Sequence, residues 1–451
     1  MNASLLLLIG DALLSVVGVY AACLVRFESL GDAYASAPGL TRLVVFAAAT
    51  VITSYLAELY DVDNQQKSRE LIVRILIAMT LCFLVLTSIY YSVHFLMIGR
   101  GLLLLSLGFF SVFQFLLHTV YGHLMRASGF ARRVLVLGTG PLAKKIGDLI
   151  VSTNHHHVLK GYVNLTGESA QVPHEAIVGN GSGLVKTVKE NRAQKLVVSL
   201  SERRGFFPVK DVLDCKFSGI EVIDAPSFYE EITGKLLVEN ITPSWFIFSN
   251  GFRITAIKRV HKRIFDMTLS LLLLILTLPL LPIIALFIKI DSQGPAFFRQ
   301  VRVGELEKEF VLYKFRTMRS DAENGTGAVW AQKNDSRVTR FGKFLRKTRI
   351  DELPQLYNVL KGDMSFVGPR PERPEFVSEL KKIIPYYSER HFVKPGATGW
   401  AQIRYPYGAS VEDALEKLRH DLYYIKNISL FLDMMIFVET IKVMLFGRGA
   451  R

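Results

Sequence analysis

The stretch RIDELPQLYNVLKGDMSFVGPRPE, residues 349–372, combines two adjacent carboxylates with a glycine turn and an arginine between prolines. A helix that begins near Leu353 or Pro354 would place Asp351 and Glu352 at its N-terminus, where the helix dipole keeps carboxylates ionised. Neighbours on a helix point about 100° apart, so this pair does not face each other as a proton-sharing dyad. The two groups suit separate roles, one as a nucleophile or base and the other as a ligand of a hard cation such as Mg²⁺.

The same stretch presents Arg370 between Pro369 and Pro371. Proline fixes its own φ, so the chain on both sides of Arg370 has little backbone entropy to lose. A planar guanidinium can bind two phosphate oxygens at once, which predicts a clamp on a diphosphate. An Asp-Glu pair alone is most often only a feature of a helix N-terminus, so the prediction depends on the whole pattern.

Basic residues precede this motif in three separate runs. Arg302 belongs to the first run, Lys314 and Arg316 belong to the second, and Arg349 belongs to the third. A run of charge is most often a solvated surface. Three runs in one region beside an apolar segment favour phosphate binding, because arginine and lysine are the side chains that bind phosphate oxygens.

The composition indicates a membrane protein. The chain has 451 residues, of which 50% are hydrophobic, and a formal net charge of +14. A basic excess is typical of proteins that bind nucleic acid, an anionic membrane surface or a phosphorylated substrate. Cys23, Cys82 and Cys215 are scattered without metal-ligand spacing, so we expect buried free thiols.

Four hydrophobic segments occupy the N-terminal region, at roughly 4–25, 40–60, 71–95 and 97–125. Each is long enough to cross about 30 Å of hydrocarbon as a helix. They predict a four-helix transmembrane domain over residues 1–127. Basic residues follow the second and fourth segments, which favours a cytoplasmic location for both ends of this domain.

The sequence that follows reads as a buried strand, a glycine turn and a helix, and alternating strands and helices continue. This pattern predicts a Rossmann-like α/β domain over 131–250. Gly138 and Gly140 belong to a GxGxxA sequence, the place where a Rossmann unit binds pyrophosphate. The acidic residue expected about 20 residues later is missing, so nucleotide binding and a scaffold or regulatory role both stay open. The three histidines at 155–157 are compatible with either a metal site or a solvated loop.

A fifth apolar run extends over residues 267–288 without a charge. Pro279 and Pro282 interrupt it, and each removes a backbone hydrogen bond and bends the helix. Both flanks are basic, which is easiest to satisfy if both ends stay on the cytoplasmic side. We therefore expect a re-entrant helix over about 264–290, with a kinked span as the alternative. A last apolar stretch, 429–447, is either an interfacial helix on the membrane or a buried core helix.

The motif DELPQLYNVLKGDMSFVGPRP, with KFRTM before it and KPGATGWAQI at 394–403 after it, resembles the bacterial sugar transferase family. Members of this family are polyprenyl-phosphate glycosyl-1-phosphate transferases with a monotopic catalytic domain. The catalytic resemblance covers about 255–451, and it implies a re-entrant helix followed by an α/β, mostly helical domain. The predicted N-terminal helices and Rossmann-like domain are similar to those of the long members, which start exopolysaccharide or O-antigen repeat synthesis.

The resemblance also implies a reaction. A hexose-1-phosphate moves from a UDP-sugar to undecaprenyl phosphate, and UMP is released. By the resemblance, Asp351 is the nucleophile that forms a covalent phosphosugar intermediate, and Glu352 helps to hold Mg²⁺ beside it. Arg370, Lys314 and Arg316 match basic positions of the family's motifs, so we expect them to contact phosphate.

Further implications concern the membrane. Lys262, Arg263 and Asp266 precede the apolar run, where the family positions its membrane helix against the catalytic domain. The resemblance places the protein in the bacterial inner membrane as a multi-pass protein whose catalytic domain faces the cytoplasm. The expected partners are the UDP-sugar, undecaprenyl phosphate and membrane lipid, with no nucleic acid among them. A homodimer is compatible with the long architecture.

Two other classes of protein stay open. The GTGPLA sequence is compatible with a membrane-anchored NAD-dependent sugar-modifying enzyme, although no Tyr-x-x-x-Lys pair is visible in the α/β region. A non-catalytic scaffold for polysaccharide assembly is the other, and the intact Asp351, Glu352 and Arg370 speak against it. The motifs leave the sugar open among glucose, galactose and N-acetylated hexoses.

Overall fold

The computed structural model describes residues 3–27, 38–57, 59–60, 68–126, 131–152, 157–165, 170–181, 183–200, 207–241, 243–249, 251–319, 322, 337–405, 408 and 410–446. The chain forms two compact units, Met1–Ala225 and Pro226–Arg451. Each unit is built around buried apolar side chains of its own. The limits predicted for three domains stay predictions.

The first unit begins with four helices, namely α1 (Ala3–Arg26), α2 (Leu40–Leu56), α3 (Ser68–Ser92) and α4 (Arg100–Arg126). Segments of three of them, Leu5–Arg26, Leu71–Ser92 and Arg100–Gly122, are long and apolar enough to cross a membrane. Helix α2 is apolar but has only 17 residues, so the count of four transmembrane helices stays a prediction. The predicted second segment reached residue 60, whereas the helix ends before Ala57.

A buried carboxylate joins these helices. Asp11 of α1 is fully buried, and its Oδ2 accepts a hydrogen bond of 2.9 Å from the Tyr60 hydroxyl and one of 2.5 Å from Gln114 Nε2. The His118 Nε2 atom lies 3.2 Å from the same oxygen. Polar groups inside an apolar bundle are rare unless they pair with one another. The network therefore connects α1, the turn after α2 and α4.

The rest of the first unit is a parallel sheet with connecting helices. Its elements are β1 (Arg132–Leu137), α5 (Pro141–Ser152), β2 (His157–Asn164), β3 (Ile177–Asn180), α6 (Leu184–Glu190), β4 (Lys195–Val198), α7 (Val209–Phe217) and β5 (Glu221–Asp224). All neighbouring strands are parallel, in the order β3-β2-β1-β4-β5. The central strand β1 is buried from Val134 to Leu137, as expected for a strand inside a parallel sheet.

The three cysteines are buried free thiols. Cys23 and Cys82 lie in the core of the helices, and Cys215 lies in the core of the sheet. This confirms the prediction made from their spacing.

The second unit starts with a segment that packs on helices much further along the chain. This connecting segment, residues 226–249, contains α9 (Pro243–Phe248) and all of α8 (Ala225–Thr233) except its first residue. The Gly234 carbonyl accepts a hydrogen bond of 2.7 Å from Trp400 Nε1. Near the other end of the domain, Lys426 forms an ion pair with Glu230. These contacts make the connecting segment part of the second unit.

Two apolar helices follow, α10 (Ala256–Thr277) and α11 (Leu280–Asp291), and they are bent by 62° at the break between them. Together they are long and apolar enough for one broken span or a re-entrant loop. Pro279 lies at the bend, as predicted. Pro282 lies in the first turn of α11, where a missing backbone N–H has little effect on the helix.

Three polar side chains of α10 attach it to the domain that follows. Lys262 Nζ donates to the Val367 carbonyl at 3.0 Å. The Arg263 guanidinium donates to two carbonyl groups at the end of a later helix, at 2.6 and 2.7 Å. The buried Asp266 accepts a hydrogen bond of 2.7 Å from Ser365 Oγ. These contacts agree with the position that the resemblance implies for the three residues.

The remaining elements are β6 (Phe297–Val303), β7 (Glu309–Phe315), α12 (Arg340–Thr348), α13 (Gln355–Lys361), β8 (Ser365–Val367), α14 (Pro374–Ile383), β9 (Gly396–Thr398), α15 (Trp400–Arg404), α16 (Val411–Lys426) and α17 (Leu430–Phe446). Strands β6 and β7 form an antiparallel hairpin, and β8 and β9 are parallel. Helix α17 buries Leu432 and Ile436 while Phe431 is 74% exposed, so it combines a core face with an open apolar face.

Candidate active site

The Asp-Glu pair lies in a tight turn between α12 and α13. Arg349, the residue after α12, has a φ of +58°, in a left-handed region that residues with a side chain rarely adopt. Such conformations persist where the surrounding structure holds them, and they cluster at functional sites. A 3₁₀ turn, Ile350–Glu352, follows, and α13 begins at Gln355. The turn buries the side chain of Asp351.

Glu352 is the centre of a cluster of positive charge. Its Oε1 atom lies 3.1 Å from Lys314 Nζ, 3.1 Å from Arg370 Nη2 and 3.7 Å from Arg349 Nη1. Burial by itself would raise the pKa of Glu352, but the charges of Lys314, Arg370 and Arg349 outweigh it and hold that pKa well below its ordinary value. Glu352 is therefore ionised throughout the physiological pH range.

Asp351 lies in a different environment from its neighbour. The side chain is buried, and its Oδ1 atom has no hydrogen-bond partner among the residues that the structure describes. Burial and the charge of Glu352 raise the pKa of Asp351, and the nearby Lys314 and Arg346 oppose that shift. A desolvated carboxylate oxygen without a hydrogen bond is well suited to attack an electrophile.

The balance of charge in this cluster favours an anionic ligand. Lys314, Arg349 and Arg370 supply three positive charges against two carboxylates, which leaves one in excess when both Asp351 and Glu352 are ionised. Burial lowers the pKa of Lys314, while Glu352 counteracts that effect. A partly buried excess of positive charge is stabilised when an anion such as a phosphate enters.

The structure brings Lys314, Arg349 and Arg370 together but places the two other predicted arginines elsewhere. Arg302 Nη1 donates to the Pro371 carbonyl at 3.0 Å, so Arg302 supports the Pro-Arg-Pro segment from outside. Arg316 Nη2 donates to the carbonyl of Ser292, directly after α11, at 2.6 Å. Phosphate contact by Arg302 and Arg316 stays a prediction.

The Pro-Arg-Pro segment depends on close backbone packing between β8 and β9. The Gly396 amide donates to the Pro369 carbonyl at 2.8 Å, and the Gly368 amide donates to the Thr398 carbonyl at 2.9 Å. A Cβ atom at Gly396 would lie 2.1 Å from the Gly368 nitrogen, and one at Gly368 would lie 2.4 Å from the Lys394 carbonyl oxygen. The glycines of KPGATG and VGPRP thus permit the approach that fixes Arg370.

Arg346 belongs to the third basic run, for which the sequence favoured phosphate binding, and it lies beside the Asp-Glu pair. Arg346 Nε donates to Thr317 Oγ1 at 2.9 Å, and its charge lowers the pKa of Asp351. The residue lies in the last turn of α12, one turn before the tight turn. Its effect on the pKa of Asp351 is a role that the basic run did not indicate, and phosphate contact by Arg346 stays a prediction.

No group of three His, Cys, Asp or Glu side chains in the described part of the chain can hold a metal ion alone. Mg²⁺ in proteins is often bound by one or two carboxylates, with substrate phosphates and water completing the shell. The open Oδ1 atom of Asp351 and the adjacent carboxylate of Glu352 are oxygen ligands of that kind. The two residues therefore fit a Mg²⁺ ion that is shared with a phosphorylated ligand.

The glycine loop of the parallel sheet uses its polar groups within the first unit. Gly138 has a φ of +120°, and its amide donates to the Val163 carbonyl at 2.9 Å. The Thr139 carbonyl accepts from the Gln171 amide at 2.8 Å, and the Gly140 carbonyl accepts from Lys144 at 3.1 Å. Nucleotide binding at Gly138 and Gly140 stays a prediction. The predicted metal site is not tested, since residues 155 and 156 lie outside the described residues.

The second unit combines a bent apolar helix pair with a cluster of cations around a carboxylate pair, as expected for a membrane-associated domain that binds an anionic ligand. Residues 257–447 match the family model described as "Bacterial sugar transferase". An exopolysaccharide production protein PSS from Rhizobium leguminosarum bv. phaseoli is 43% identical over 187 residues, which cover 40% of this chain and 94% of the relative. The chain belongs to the bacterial sugar transferase family.

Two longer relatives extend the similarity. A UDP-N-acetylgalactosamine-undecaprenyl-phosphate N-acetylgalactosaminephosphotransferase from Aeromonas hydrophila is 43% identical over 237 residues, 52% of this chain and 55% of the relative. An undecaprenyl-phosphate glucose phosphotransferase from Komagataeibacter xylinus is 34% identical over 335 residues, 71% of this chain and 60% of the relative. The chain thus matches little more than half the length of these two relatives. The apolar helices and the family together indicate a membrane protein.

Proposed function

We propose that this chain transfers a hexose-1-phosphate from a UDP-sugar to undecaprenyl phosphate and releases UMP. The reaction would be the first membrane step in the synthesis of an exopolysaccharide or O-antigen repeat unit. The relatives carry the names of undecaprenyl-phosphate sugar phosphotransferases, and this chain has the family's Asp-Glu and Pro-Arg-Pro motifs intact.

One observation carries the proposal. Asp351 presents a buried oxygen without a hydrogen bond in the described structure, directly beside a carboxylate that three cations surround. The cations offer a place for a diphosphate, and the open oxygen offers a nucleophile for it. Asp11 of the first unit also has one buried oxygen without a hydrogen bond in the described structure, so the open oxygen of Asp351 supports the proposal because three cations lie beside it.

In the first step, an Asp351 carboxylate oxygen attacks the phosphorus that carries the sugar. A bond forms between that oxygen and the phosphorus, and the bond from phosphorus to the oxygen of UMP breaks. UMP leaves with the electron pair, and the phosphosugar stays on Asp351. Arg370 and Lys314 would stabilise the negative charge on the phosphoryl oxygens during this displacement.

In the second step, a phosphate oxygen of undecaprenyl phosphate attacks the same phosphorus. The bond to Asp351 breaks, the carboxylate is regenerated, and the lipid carries the sugar through a diphosphate. Covalent capture divides one displacement into two, so the donor nucleotide can leave before the lipid phosphate enters.

Mg²⁺ would be held by oxygens of Asp351 and Glu352, where it would neutralise charge on the diphosphate. Lys314, Arg349 and Arg370 keep Glu352 ionised and fixed in place, which preserves a ligand for the ion. The burial of Asp351 excludes water from its carboxylate and limits hydrolysis of the covalent intermediate.

The bent pair of α10 and α11 would be re-entrant and would hold the catalytic unit at the cytoplasmic face of the bacterial inner membrane. The lipid phosphate lies at the level of the headgroups, and the nucleotide sugar is dissolved in the cytosol. The bend of 62° and the attachment of α10 through Lys262, Arg263 and Asp266 support a helix pair that enters and leaves one leaflet. The N-terminal helices, including α2, would form a four-helix anchor.

The parallel sheet would be a Rossmann-like scaffold. Its strand order agrees with that of a dinucleotide-binding fold, but its glycine loop is bonded internally at Gly138 and Thr139. Titration of the purified full chain with NAD and UDP-sugars under intrinsic fluorescence tests this role. Saturable NAD binding that survives Asp351→Asn would contradict the scaffold.

The transfer is tested by UMP release from purified protein in detergent with undecaprenyl phosphate, Mg²⁺ and a panel of UDP-sugars. The names of the relatives cover both glucose and N-acetylgalactosamine, so the panel must include both. We expect one or two sugars to support release. If no UDP-sugar of the panel releases UMP, the proposal is wrong.

The covalent intermediate is tested by mass spectrometry of protein incubated with the active UDP-sugar alone. We expect the mass of a hexose phosphate on the peptide that contains Asp351 and none on that peptide after Asp351→Asn. Confirmed turnover without such an adduct would exclude the intermediate while leaving the transfer itself in place.

The re-entrant topology is tested with two single-cysteine variants, Ile257→Cys and Ile290→Cys, which lie near the two outer ends of the helix pair and are 69% and 72% exposed. A membrane-impermeant maleimide applied to spheroplasts and to inverted vesicles reports the side of each residue. We expect both cysteines to react only from the cytoplasmic side. Reaction of the two from opposite sides would establish a kinked span instead.

A further inference from the structure

Arg390 contacts the backbone of the Pro-Arg-Pro segment and lies outside the cluster around Glu352. Arg390 belongs to the 3₁₀ helix Tyr387–Phe392 and is only 4% exposed. Its Nη2 donates to the carbonyl oxygen of Arg370 at 3.1 Å, and its Nη1 donates to the Tyr387 hydroxyl at 2.6 Å. The guanidinium thus contacts the backbone of Arg370 while the Arg370 side chain reaches Glu352 on the other side.

The charge of Arg390 is balanced by Asp421 of α16. The Arg390 Nη2 atom lies 2.7 Å from Asp421 Oδ2, and the two side chains are 4% and 2% exposed. A buried ion pair is expensive to desolvate, and an apolar pair of similar size often serves stability equally well. A buried pair whose cation also bonds to the backbone of a site residue therefore indicates a role beyond packing.

The neighbouring prolines restrict the backbone at Arg370 but do not fix it. Pro369 and Pro371 fix their own φ, and the residue before a proline is restricted to extended conformations. Within the extended region, the peptide between Arg370 and Pro371 can still tilt through changes in φ and ψ of Arg370. A hydrogen bond to the Arg370 carbonyl fixes this tilt and so fixes the direction in which the Arg370 side chain leaves the backbone.

We infer that Arg390 is a positioning residue for the transfer reaction, which acts by holding the Arg370 carbonyl, and that Asp421 holds Arg390 in place for this purpose. Because Arg390 is only 4% exposed, its effect on the reaction would pass through Arg370. The inference rests on the proposed function, in which Arg370 binds the diphosphate of the donor.

A double-mutant cycle tests the inference, because residues that act as a unit give non-additive effects. Arg390→Lys keeps the positive charge beside Asp421 but loses the two-pronged guanidinium. We expect a fall in kcat of about tenfold, with a smaller change in the KM for the UDP-sugar. In an Arg370→Lys background, we expect the same Arg390→Lys change to lower kcat less than twofold further.

The control cycle uses Lys426→Arg, which alters a buried ion pair with Glu230 that belongs to the connecting segment. Its effect should be the same in the wild-type and the Arg370→Lys backgrounds, since Lys426 has no contact with the Pro-Arg-Pro segment in the described structure. If the effects of Arg390→Lys and Arg370→Lys on kcat are additive, as expected for the control, Arg390 is only structural and the inference is wrong. If Arg390→Lys fails to fold, Asp421→Asn replaces it in the cycle with the same expected non-additivity.

A binding cycle separates this inference from the proposed function. Wild-type protein that releases UMP establishes the function, so an additive cycle then overturns the positioning role alone. If wild-type protein releases no UMP, wild type, Arg390→Lys, Arg370→Lys and the double variant are compared for UDP affinity by isothermal titration calorimetry. Non-additive losses of UDP affinity would support the role of Arg390 without turnover, and additive losses or unchanged affinity would overturn it.

Discussion

Each unit of the chain buries a carboxylate that has three side-chain partners, and the two differ in the charge of those partners. In the N-terminal helices, Asp11 Oδ2 accepts from the Tyr60 hydroxyl at 2.9 Å and from Gln114 Nε2 at 2.5 Å, with His118 Nε2 at 3.2 Å. The hydroxyl and the amide are neutral, and histidine is neutral unless protonated. These partners satisfy one oxygen of Asp11 and tie three parts of the bundle together.

Among the residues that the structure describes, the side-chain partners of Glu352 in the second unit are cations, namely Lys314, Arg349 and Arg370. Three cations are more than a carboxylate pair requires, so this cluster has charge left for an incoming anion. Burial and hydrogen bonding alone therefore do not distinguish a structural carboxylate from one with the proposed catalytic role. The sign and number of the surrounding charges make the distinction.

Asp351→Asn tests the role of the second cluster directly. The amide has almost the same shape but is a poor nucleophile, so we expect UMP release to fall at least about 10³-fold. The thermal midpoint should stay within a few degrees, because the substitution removes a buried charge rather than a packing contact. UMP release and differential scanning fluorimetry on the same preparation measure both quantities.

The matched control is Glu375→Gln, which removes a carboxylate whose side chain is 58% exposed and pairs with Arg373. We expect its UMP release to stay within twofold of wild type. If the Asp351→Asn variant releases UMP at the wild-type rate, an Asp351 oxygen does not form the bond to phosphorus. The cluster around Glu352 would then lose its assigned role.

Asp11→Asn tests the other half of the comparison. An asparagine oxygen accepts fewer and weaker hydrogen bonds than a carboxylate, so we expect a loss of about 1–3 kcal/mol in the stability of the N-terminal helices. The loss should appear as a lower thermal midpoint in detergent, with UMP release per folded molecule within twofold of wild type. Thr80→Ala, which removes an exposed hydroxyl bonded to the carbonyl of Leu76, is the control with little effect.

A folded Asp11→Asn protein that had lost UMP release would overturn the assignment of a structural role to the Asp11 network. It would also remove the distinction by charge, since a cluster with neutral partners would then serve the reaction.

The sequence indicated which residues belong to the charged region, but not which of them contact Glu352. Lys314 and Arg316 are two residues apart, which places them on one face of an extended strand. Strand β7 ends at Phe315, however, and the Arg316 amide bonds to the Ala296 carbonyl, so only Lys314 reaches Glu352. The end of a short strand is set by tertiary hydrogen bonds that no local pattern reports.

The N-terminal helices show the same limit. The apolar pattern predicted a second segment as far as residue 60, whereas the structure turns at Ala57 and directs the Tyr60 hydroxyl to Asp11. That contact joins residues 49 positions apart. The role of Arg390 was equally hidden, because its partners Arg370 and Asp421 are brought together only by the packing of three separate elements.

Arg346→Met tests how the charge of Arg346 affects Asp351 within the charged cluster. Burial and the charge of Glu352 raise the pKa of Asp351, and Arg346 opposes that shift, so removal of Arg346 raises the pKa further. Asp351 must be ionised to attack, so the acid limb of kcat/KM should move to higher pH in the variant. A pH profile of UMP release measures the limb, which in wild type should already lie above the ordinary aspartate pKa of about 4.

Lys343→Met is the control for this profile, since Lys343 is an exposed lysine on the same helix. The acid limb of kcat/KM in the Lys343→Met variant should coincide with that of wild type. An Arg346→Met limb that moved to lower pH, or did not move, would mean that the charge of Arg346 does not act on the reacting carboxylate.

The smallest expected effect concerns a neutral contact in the second unit, the hydrogen bond of 2.7 Å from Trp400 Nε1 to the Gly234 carbonyl. Trp400→Phe leaves that carbonyl without its donor and should lower stability by about 1 kcal/mol, seen as a slightly lower thermal midpoint. Tyr386→Phe removes a longer hydrogen bond, of 3.4 Å, from the Ile241 carbonyl of the same connecting segment and should have less effect. Because both contacts are neutral, UMP release should stay near wild type in both variants. A tenfold loss of UMP release by Trp400→Phe at an unchanged thermal midpoint would show that a neutral contact can also serve the site. Charge would then no longer separate the functional interactions of this chain from the structural ones.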